Sequence, residues 1–287
     1  YEGRSLQLAS ISTAENLSKL DEIQENHLIQ SGLKEGTVSS LAPKSVVWLS
    51  YNVHGNEAVS TEAAMKTLYT LVTEKAAWLE NLVVLMDPCI NPDGRDRYVN
   101  WYNQVKSSPF DGKPIANEHY EDWPGGRYNH YYFDLNRDWA WVSQKETQQR
   151  LKEYHKWYPQ IHVDFHEQGV DSPYYFAPAA EPLHEIVTDF QKDFQHIIGK
   201  NHAKYFDQEG WSYFTKEVFD LLYPGYGDTY PMFHGAIGMT YEQGGSGRAG
   251  LSIKNEIGDF LTLKDRIAHH YTTGLSTLEI AHKNSAL

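Results

Sequence analysis

The sequence contains a single cysteine, Cys89, among its 287 residues, so no internal disulfide can form. This excludes a small, disulfide-stapled scaffold as the fold class. Basic residues are also scarce, since 25 Lys and Arg stand against 38 Asp and Glu and leave a net charge of −13. A chain this acidic lacks the positive surface that binds a phosphate backbone, which argues against nucleic acid as a partner.

Long apolar runs are absent as well. The longest, such as residues 83–86, are far too short to span a membrane. Neither an internal repeat nor a low-complexity segment is found. Aromatic residues, in contrast, make up 14% of the sequence, with 20 Tyr and 8 Trp. This content is typical of a thick core or of an exposed aromatic binding surface.

Short apolar segments alternate with longer amphipathic ones. The segments predicted as strands include 45–50, 81–87, 161–165 and 236–241. The segments with helical spacing are 15–31, 57–80, 182–205 and 253–286. This alternation predicts an α/β fold, in which a single domain has a central mixed, mostly parallel β-sheet flanked by helices. Residues 103–131 show neither period, and a loop of this length is usually functional.

Polar motifs lie at or near the ends of several predicted strands. In chain order they are His54-Gly55-Asn56-Glu57, Asn91-Pro92-Asp93-Gly94, Asp134-Leu135-Asn136-Arg137, Asp164-Phe165-His166 and Thr240-Tyr241-Glu242. An imidazole and a carboxylate three residues apart in a tight turn can aim at one point, and both are good zinc ligands. Each motif taken alone is equally compatible with an ordinary surface turn, loop or helix start.

Taken together and in this order, the five motifs resemble those of the zinc carboxypeptidases of the M14, or funnelin, type. The resemblance extends from Tyr1 to about Ile280 and implies that residues 1–287 form one catalytic domain. The opening Tyr1-Glu2-Gly3-Arg4 is similar to a family segment that normally follows a helix and an outer strand. We therefore expect this chain to be a piece of a longer precursor.

The resemblance implies one Zn²⁺ ion held by His54, Glu57 and His166, with the fourth position left for water. His162 lies on the same strand face as His166 and is its nearest competitor, but the family pattern selects His166. Glu242 matches the general base that takes a proton from metal-activated water and passes it to the leaving amine.

Further residues match groups that act on the substrate. Asn136 and Arg137 match the pair that grips the C-terminal carboxylate of a peptide. Arg127 lies ten residues before Arg137 and matches the arginine that stabilises negative charge on the scissile carbonyl. Arg95 and Arg97 are alternatives for that role.

Three further features of the resemblance concern the walls of the site. Asp134 resembles a carboxylate that orients a zinc-bound histidine. Tyr223 matches the tyrosine that caps the substrate carboxylate, although Tyr226 and Tyr230 compete with it. Side-chain preference stays open, since Asp228 would suit a basic substrate and Arg248 an acidic one.

The implied function is that of a zinc-dependent metallocarboxypeptidase, which hydrolyses the C-terminal bond of peptides that carry a free carboxylate. The acidic, aromatic-rich composition leads us to expect a secreted or periplasmic protein. One alternative is a zinc-dependent deacylase of N-acyl amino acids, because those enzymes share the His-Gly-Asn-Glu and Asp-Leu-Asn-Arg motifs. The other is a non-catalytic module that binds peptides or glycans through its aromatic surface.

Overall fold

The computed structural model describes every residue from Tyr1 to Leu287. Strands β1 to β11 are, in chain order, Ala9–Ile11, Ser45–Tyr51, Leu82–Asp87, Ile161–Gln168, Tyr174–Tyr175, Ala180–Leu183, Tyr213–Phe214, Asp220–Leu221, Ile237–Gly244, Ser252–Lys254 and Phe260–Thr262. Helices α1 to α8 are Ala14–Ser18, Leu20–Gln30, Val59–Thr73, Pro92–Val105, Lys145–Trp157, Asp189–Glu209, Thr229–Phe233 and Leu263–Lys283. No helix combines the length and hydropathy that a bilayer crossing requires.

Seven strands form one sheet in the order β1-β3-β2-β4-β9-β5-β7. The four strands from β3 to β9 in this order run parallel to one another. The sheet is mixed because β1 pairs antiparallel with β3, and β5 pairs antiparallel with β9. The predicted fold class, a single α/β domain with a mostly parallel sheet, is therefore confirmed.

The central strands are apolar because helices cover both faces of the sheet. Along β2, Val47 and Leu49 face one layer while Val46 and Trp48 face the other, and all four are buried. The first pair belongs to a core of 25 buried residues shared with α3, α6 and α8. The second pair packs against α2 and α5. Burial on both faces explains why this strand reads as a continuous hydrophobic run.

Several helix boundaries differ from the sequence prediction. The segment 253–286 begins as the hairpin of β10 and β11, and α8 starts only after Thr262, whose side chain caps the helix in a capping box with Asp265. Thr188 starts α6 in the same way. The predicted turn at Asn91 instead begins α4, because Asn91 caps the helix and Pro92 occupies its first turn. Neither α4 nor α5 was predicted.

The carboxyl ends of β2, β4 and β9 meet at one edge of the sheet, where open α/β sheets bind ligands. Strands β4 and β9 run further than predicted, so His166 and Glu242 lie within strands rather than after them. These two residues are direct neighbours in the β4–β9 register. Residues 106–134 cross the surface without regular structure apart from a 3₁₀ turn at Asn117–His119.

Candidate metal centre and active site

The turn after β2 is built around Asn52. Its φ of 59° lies in the left-handed region, which asparagine tolerates better than most residues. Its side-chain amide donates to the carbonyl oxygens of His54, at 2.8 Å, and Glu57, at 3.0 Å. The clamped turn brings the two side chains together, with His54 Nδ1 2.8 Å from Glu57 Oε1.

His166 on β4 completes a cluster of three buried ligand atoms. Its Nδ1 lies 3.2 Å from Nδ1 of His54 and 3.1 Å from Oε2 of Glu57. Two ligands about 2.0–2.1 Å from a tetrahedral ion lie roughly 3.3 Å from each other. The observed spacings therefore fit one zinc ion with little rearrangement, and the structure brings together all three residues that the resemblance selected.

The chemistry of the donors also fits a cation. His54 Nε2 lies 3.0 Å from Oδ1 of Asp134, so the ring proton is best placed on Nε2 and the Nδ1 lone pair faces the cluster. His166 Nε2 lies 3.0 Å from Oδ2 of Asp164 and 3.4 Å from Nδ2 of Asn136, and the shorter contact, with the carboxylate, favours the same tautomer. In this tautomer two imidazole lone pairs and a carboxylate converge in a buried space, and a cation bound between them would stabilise all three.

Electrostatic effects at these side chains are large. Burial by itself would raise the pKa of Glu57, but the adjacent imidazoles of His54 and His166 outweigh it and hold the pKa well below its usual range. Burial would likewise raise the pKa of Asp134, but His54 and then Arg127 hold it low. Both carboxyl groups are therefore ionised at neutral pH, as a metal site requires.

Arg127 reaches this site because three glycines allow close backbone contact. A Cβ on Gly55 would overlap the backbone of Gly94 and the residue after it, and a Cβ on Gly94 would overlap the carbonyl oxygen of Gly126. The turn after β2, the start of α4 and the segment before Arg127 therefore touch without intervening side chains. This contact gives a physical reason for the glycines in two of the sequence motifs.

The Arg127 guanidinium lies against the ligand cluster. Its Nε and Nη2 donate to Oδ2 of Asp134, at 3.1 and 3.0 Å, and its Nη1 donates to Glu57 at 3.3 Å. The two alternative arginines lie elsewhere: Arg95 pairs with Glu62, and Arg97 donates to backbone carbonyls of the loop. Of the three arginines that the sequence left open, Arg127 is the one in the site.

Glu242 lies beside His166 on the adjacent strand and is 9% exposed. Burial raises the pKa of its carboxyl to about 8, although the neighbouring His166 ring and the Arg127 guanidinium oppose this effect. A carboxyl whose pKa lies near neutral pH can both accept and return a proton there. Its position is therefore suited to proton transfer next to the ligand cluster.

These groups open into a cavity of about 450 Å³. Residues of the predicted site that line it are His54, Glu57, Arg127, Asn136, Arg137 and Glu242. Arg137 stacks over the ring of Tyr226, 4.7 Å from its centroid. The side-chain oxygen of Asn136 accepts a hydrogen bond from the backbone of Gly227. A second cavity of about 450 Å³ lies beside α5 and contains none of the predicted site residues.

The three tyrosines considered for capping the substrate carboxylate lie in different places. Tyr226 lines the cavity, whereas the hydroxyl of Tyr223 accepts a hydrogen bond from the exposed Trp141 outside it. Tyr230 packs on Trp139 and His155. The structure therefore brings Tyr226, and not Tyr223, next to the arginine that the sequence assigned to substrate binding.

The two residues that could select the side chain of the substrate, Asp228 and Arg248, also differ in position. Asp228 lines the cavity, but one of its carboxylate oxygens already accepts from Thr229 and caps α7. Arg248 lies over the ring of Tyr120, outside the cavity lining.

His162 does not join the cluster. It lies four residues before His166 on β4, which is about 13 Å along an extended strand. Its ring is fully buried against Trp48 and Trp139, and burial lowers its pKa to about 3. One residue of the site was missed by the sequence reasoning, namely Asp164. The available signal was its position two residues before His166, which puts both side chains on one strand face.

Known protein families and structures were compared with this chain and its site. The sequence model of a family described as zinc carboxypeptidase matches residues 1–205. A search of curated protein sequences found no significant match.

Solved structures of carboxypeptidases are similar in fold. A metallo-carboxypeptidase from Burkholderia cenocepacia aligns with a TM-score of 0.63 and 16% identity, over 100% of this chain and 63% of the other. Carboxypeptidase A from Helicoverpa armigera aligns with 0.61 and 16%, over 100% and 66%. A metallo-carboxypeptidase from Pseudomonas aeruginosa aligns with 0.56 and 14%, over 85% and 60%.

At these identities the structural likeness concerns the fold alone, and the chain spans less than two thirds of each of these proteins. The family match, in contrast, covers well over half of the chain and includes all three residues of the ligand cluster. With the ligand cluster at the edge of a mostly parallel sheet, the match leads to one conclusion: the chain belongs to the zinc carboxypeptidase family.

Proposed function

We propose that this chain is the catalytic domain of a zinc-dependent metallocarboxypeptidase that removes the C-terminal residue from peptides. The observation that carries the proposal is the convergence of His54, Glu57 and His166 beside a cavity that Glu242 and Arg127 line. A metal site, a proton acceptor and a cation in one cavity are the groups that hydrolysis of a peptide bond needs.

Zinc bound by the three ligands would supply a Lewis acid that activates water and polarises a carbonyl oxygen. Glu242 accepts the proton of the attacking water and delivers it to the leaving amine. Its position directly across from His166 supports this role, since neighbouring strands are about 4.8 Å apart. The side chain is largely shielded from bulk water, which strengthens its basicity.

Arg127 stabilises the negative charge that develops on the carbonyl oxygen. Its contacts with Asp134 and Glu57 hold the guanidinium in place, and one third of the side chain remains exposed to the cavity. Because these contacts form before substrate binds, little reorganisation is needed during the reaction. A preorganised donor of this kind is worth more than a flexible surface arginine.

Arg137 and Tyr226 bind the free carboxylate of the substrate. Arg137 is 45% exposed, and its fork of N–H donors matches the geometry of a carboxylate. Asn136 provides a neutral donor close to His166, with its own oxygen anchored on Gly227. This arrangement supports a preference for a chain end over an internal peptide bond.

The proposal is tested by supplying zinc-loaded protein with two peptides of the same sequence, one with a free C terminus and one amidated. We expect release of the C-terminal residue from the free peptide only, and loss of this release on chelation. Release of acetate or succinate from N-acyl amino acids would support the deacylase alternative instead. Stoichiometric zinc without turnover of any peptide would support the binding module.

A further inference from the structure

Each histidine of the ligand cluster has a carboxylate on its far side. We propose that Asp164 is a positioning residue for His166, whose carboxylate holds Nε2–H and presents Nδ1 to the metal. The inference rests on the proposed role of His166 as a metal ligand.

Each of the two histidines has one ring nitrogen at the same distance from a carboxylate oxygen. His166 Nε2 lies 3.0 Å from Asp164 Oδ2, and His54 Nε2 lies 3.0 Å from Asp134 Oδ1. Both imidazoles therefore use the same nitrogen toward a carboxylate and the same nitrogen toward the cluster. A carboxylate in this position fixes the tautomer, orients the ring and makes the ligand nitrogen more basic.

The two aspartates lie in different kinds of segment and at different distances along the chain from their histidines. Asp134 comes from a loop 80 residues away from His54 and is reached through tertiary folding. Asp164 lies two residues before His166 on β4, so the strand itself places both side chains on one face. Because both residues belong to one strand, the Asp164 and His166 side chains cannot move apart without distorting β4.

The Asp164 carboxylate is buried without a hydrogen-bond partner of good geometry. Its side chain is fully buried, and Nε2 of His166 lies 3.0 Å from its Oδ2. Burying a carboxylate without a hydrogen-bond partner costs free energy, and a hydrogen bond from the Nε2–H of His166 would offset that cost. The buried guanidinium of Arg150, stacked 3.8 Å from the ring centroid of Trp139, adds a positive charge that favours the ionised carboxylate.

The Asp164 carboxylate packs directly against Gly227, where there is no room for a side chain. A Cβ on Gly227 would overlap Oδ2 of Asp164 and would lie 2.9 Å from Nε1 of Trp139. The segment that carries Tyr226 therefore passes directly over Asp164. A larger residue at position 227 would therefore displace the carboxylate.

The test compares Asp164→Ala and Asp164→Asn with Asp87→Asn. Asp87 is the matched control, because it is another buried aspartate on the same sheet face but contacts Trp48 and Tyr51 rather than a ligand. Zinc affinity is measured by competition with a chromophoric chelator. We expect Asp164→Ala to weaken zinc binding by about 10–100-fold, and Asp164→Asn to weaken it less, because its amide oxygen can still accept from Nε2–H.

A second readout separates positioning from general destabilisation. In ¹⁵N-histidine spectra of the zinc-loaded wild type, we expect slowly exchanging Nε2–H signals from both His54 and His166. In Asp164→Asn, which keeps the side-chain volume, the His166 signal should exchange faster while the His54 signal persists. Asp134→Asn should give the reverse pattern.

Unchanged zinc affinity and unchanged His166 exchange in both Asp164 variants would overturn the inference, as would an equal loss of affinity in Asp87→Asn. Wild-type protein that held no zinc would overturn the proposed function together with this inference. If the wild type bound zinc but the Asp164 variants showed no change in zinc affinity or His166 exchange, this inference would be overturned and the proposed function would stand.

Discussion

The Nδ1 atoms of His54 and His166 lie 3.2 Å apart although 112 positions separate the residues in the chain. Two imidazole nitrogens at this distance, next to the Glu57 carboxylate, form a site that can hold one cation. The strength of metal binding is therefore coupled to the stability of the fold, because the unfolded chain cannot hold the three ligands together.

Removal of zinc should lower the melting temperature. Free zinc at 100 times its Kd adds about 2.7 kcal/mol to the free energy of unfolding. His166→Ala should abolish this response, since one of three ligands is lost. His162→Ala is the matched control on the same strand: it lowers stability through a core cavity but should keep the response to zinc. Calorimetry with and without a chelator measures both, and a zinc response in His166→Ala would contradict the ligand assignment.

Glu242→Gln should retain zinc and lose hydrolysis. The amide cannot accept the proton of water, so we expect a loss of roughly 3 kcal/mol in transition-state stabilisation, or about 100-fold in kcat/KM. Elemental analysis checks the metal content, and steady-state kinetics checks the rate. Wild-type turnover in this variant would mean that another group acts as the base.

Arg127→Ala should lower kcat by about 100-fold or more, because a preorganised donor to the carbonyl oxygen is lost. Arg95→Ala is its control. Arg95 bonds Ala58 and Glu62 at the surface between α3 and α4, outside the cavity, so kcat should stay close to the wild-type value. If Arg95→Ala lost as much rate as Arg127→Ala, the choice between these arginines would be wrong.

Tyr226→Phe should raise KM for peptides with a free C terminus. A hydrogen bond to a charged group is worth about 1.5–3 kcal/mol, so an increase of roughly 10-fold or more is expected. Tyr223→Phe loses only a bond to Trp141 outside the cavity and should leave KM unchanged. A larger effect from Tyr223→Phe than from Tyr226→Phe would reverse the assignment.

Asp87 should make stability depend on pH. Burial raises the pKa of its carboxyl to about 7, although Arg150 and Trp48 oppose this, whereas an unfolded aspartate titrates near 4. The folded protein therefore holds a proton that the unfolded chain releases, and this contribution to stability is lost as pH rises from about 4 through 7. It amounts to at most about 4 kcal/mol.

Urea unfolding of Asp87→Asn between pH 4 and pH 8 tests this prediction. The free energy of unfolding should fall less steeply with pH than in the wild type, even if the variant is less stable at every pH. An identical slope in both proteins would show that Asp87 has an ordinary pKa.

The ligand cluster was predicted from the order of the motifs and the family that they resemble, and not from any local pattern alone. His54 and Glu57 are three residues apart in one turn, and His166 belongs to a strand that the apolar pattern identifies. The strand pattern also led to the correct sheet type. Helix starts were predicted poorly where a threonine cap, as at Thr262, begins the helix later than the apolar spacing suggests.

The sequence alone determined the fold class, because the period of apolar residues is a local property of the chain, and the order of its motifs indicated which residues to consider as ligands and as general base. Only the tertiary structure placed Tyr226 rather than Tyr223 in the cavity, excluded Arg95 as the alternative to Arg127, and showed that Asp164 faces His166. Those distinctions depend on the path of irregular segments and on which backbones touch at Gly55, Gly94 and Gly126. Contacts of this kind arise from packing between distant parts of the chain, which no local pattern encodes.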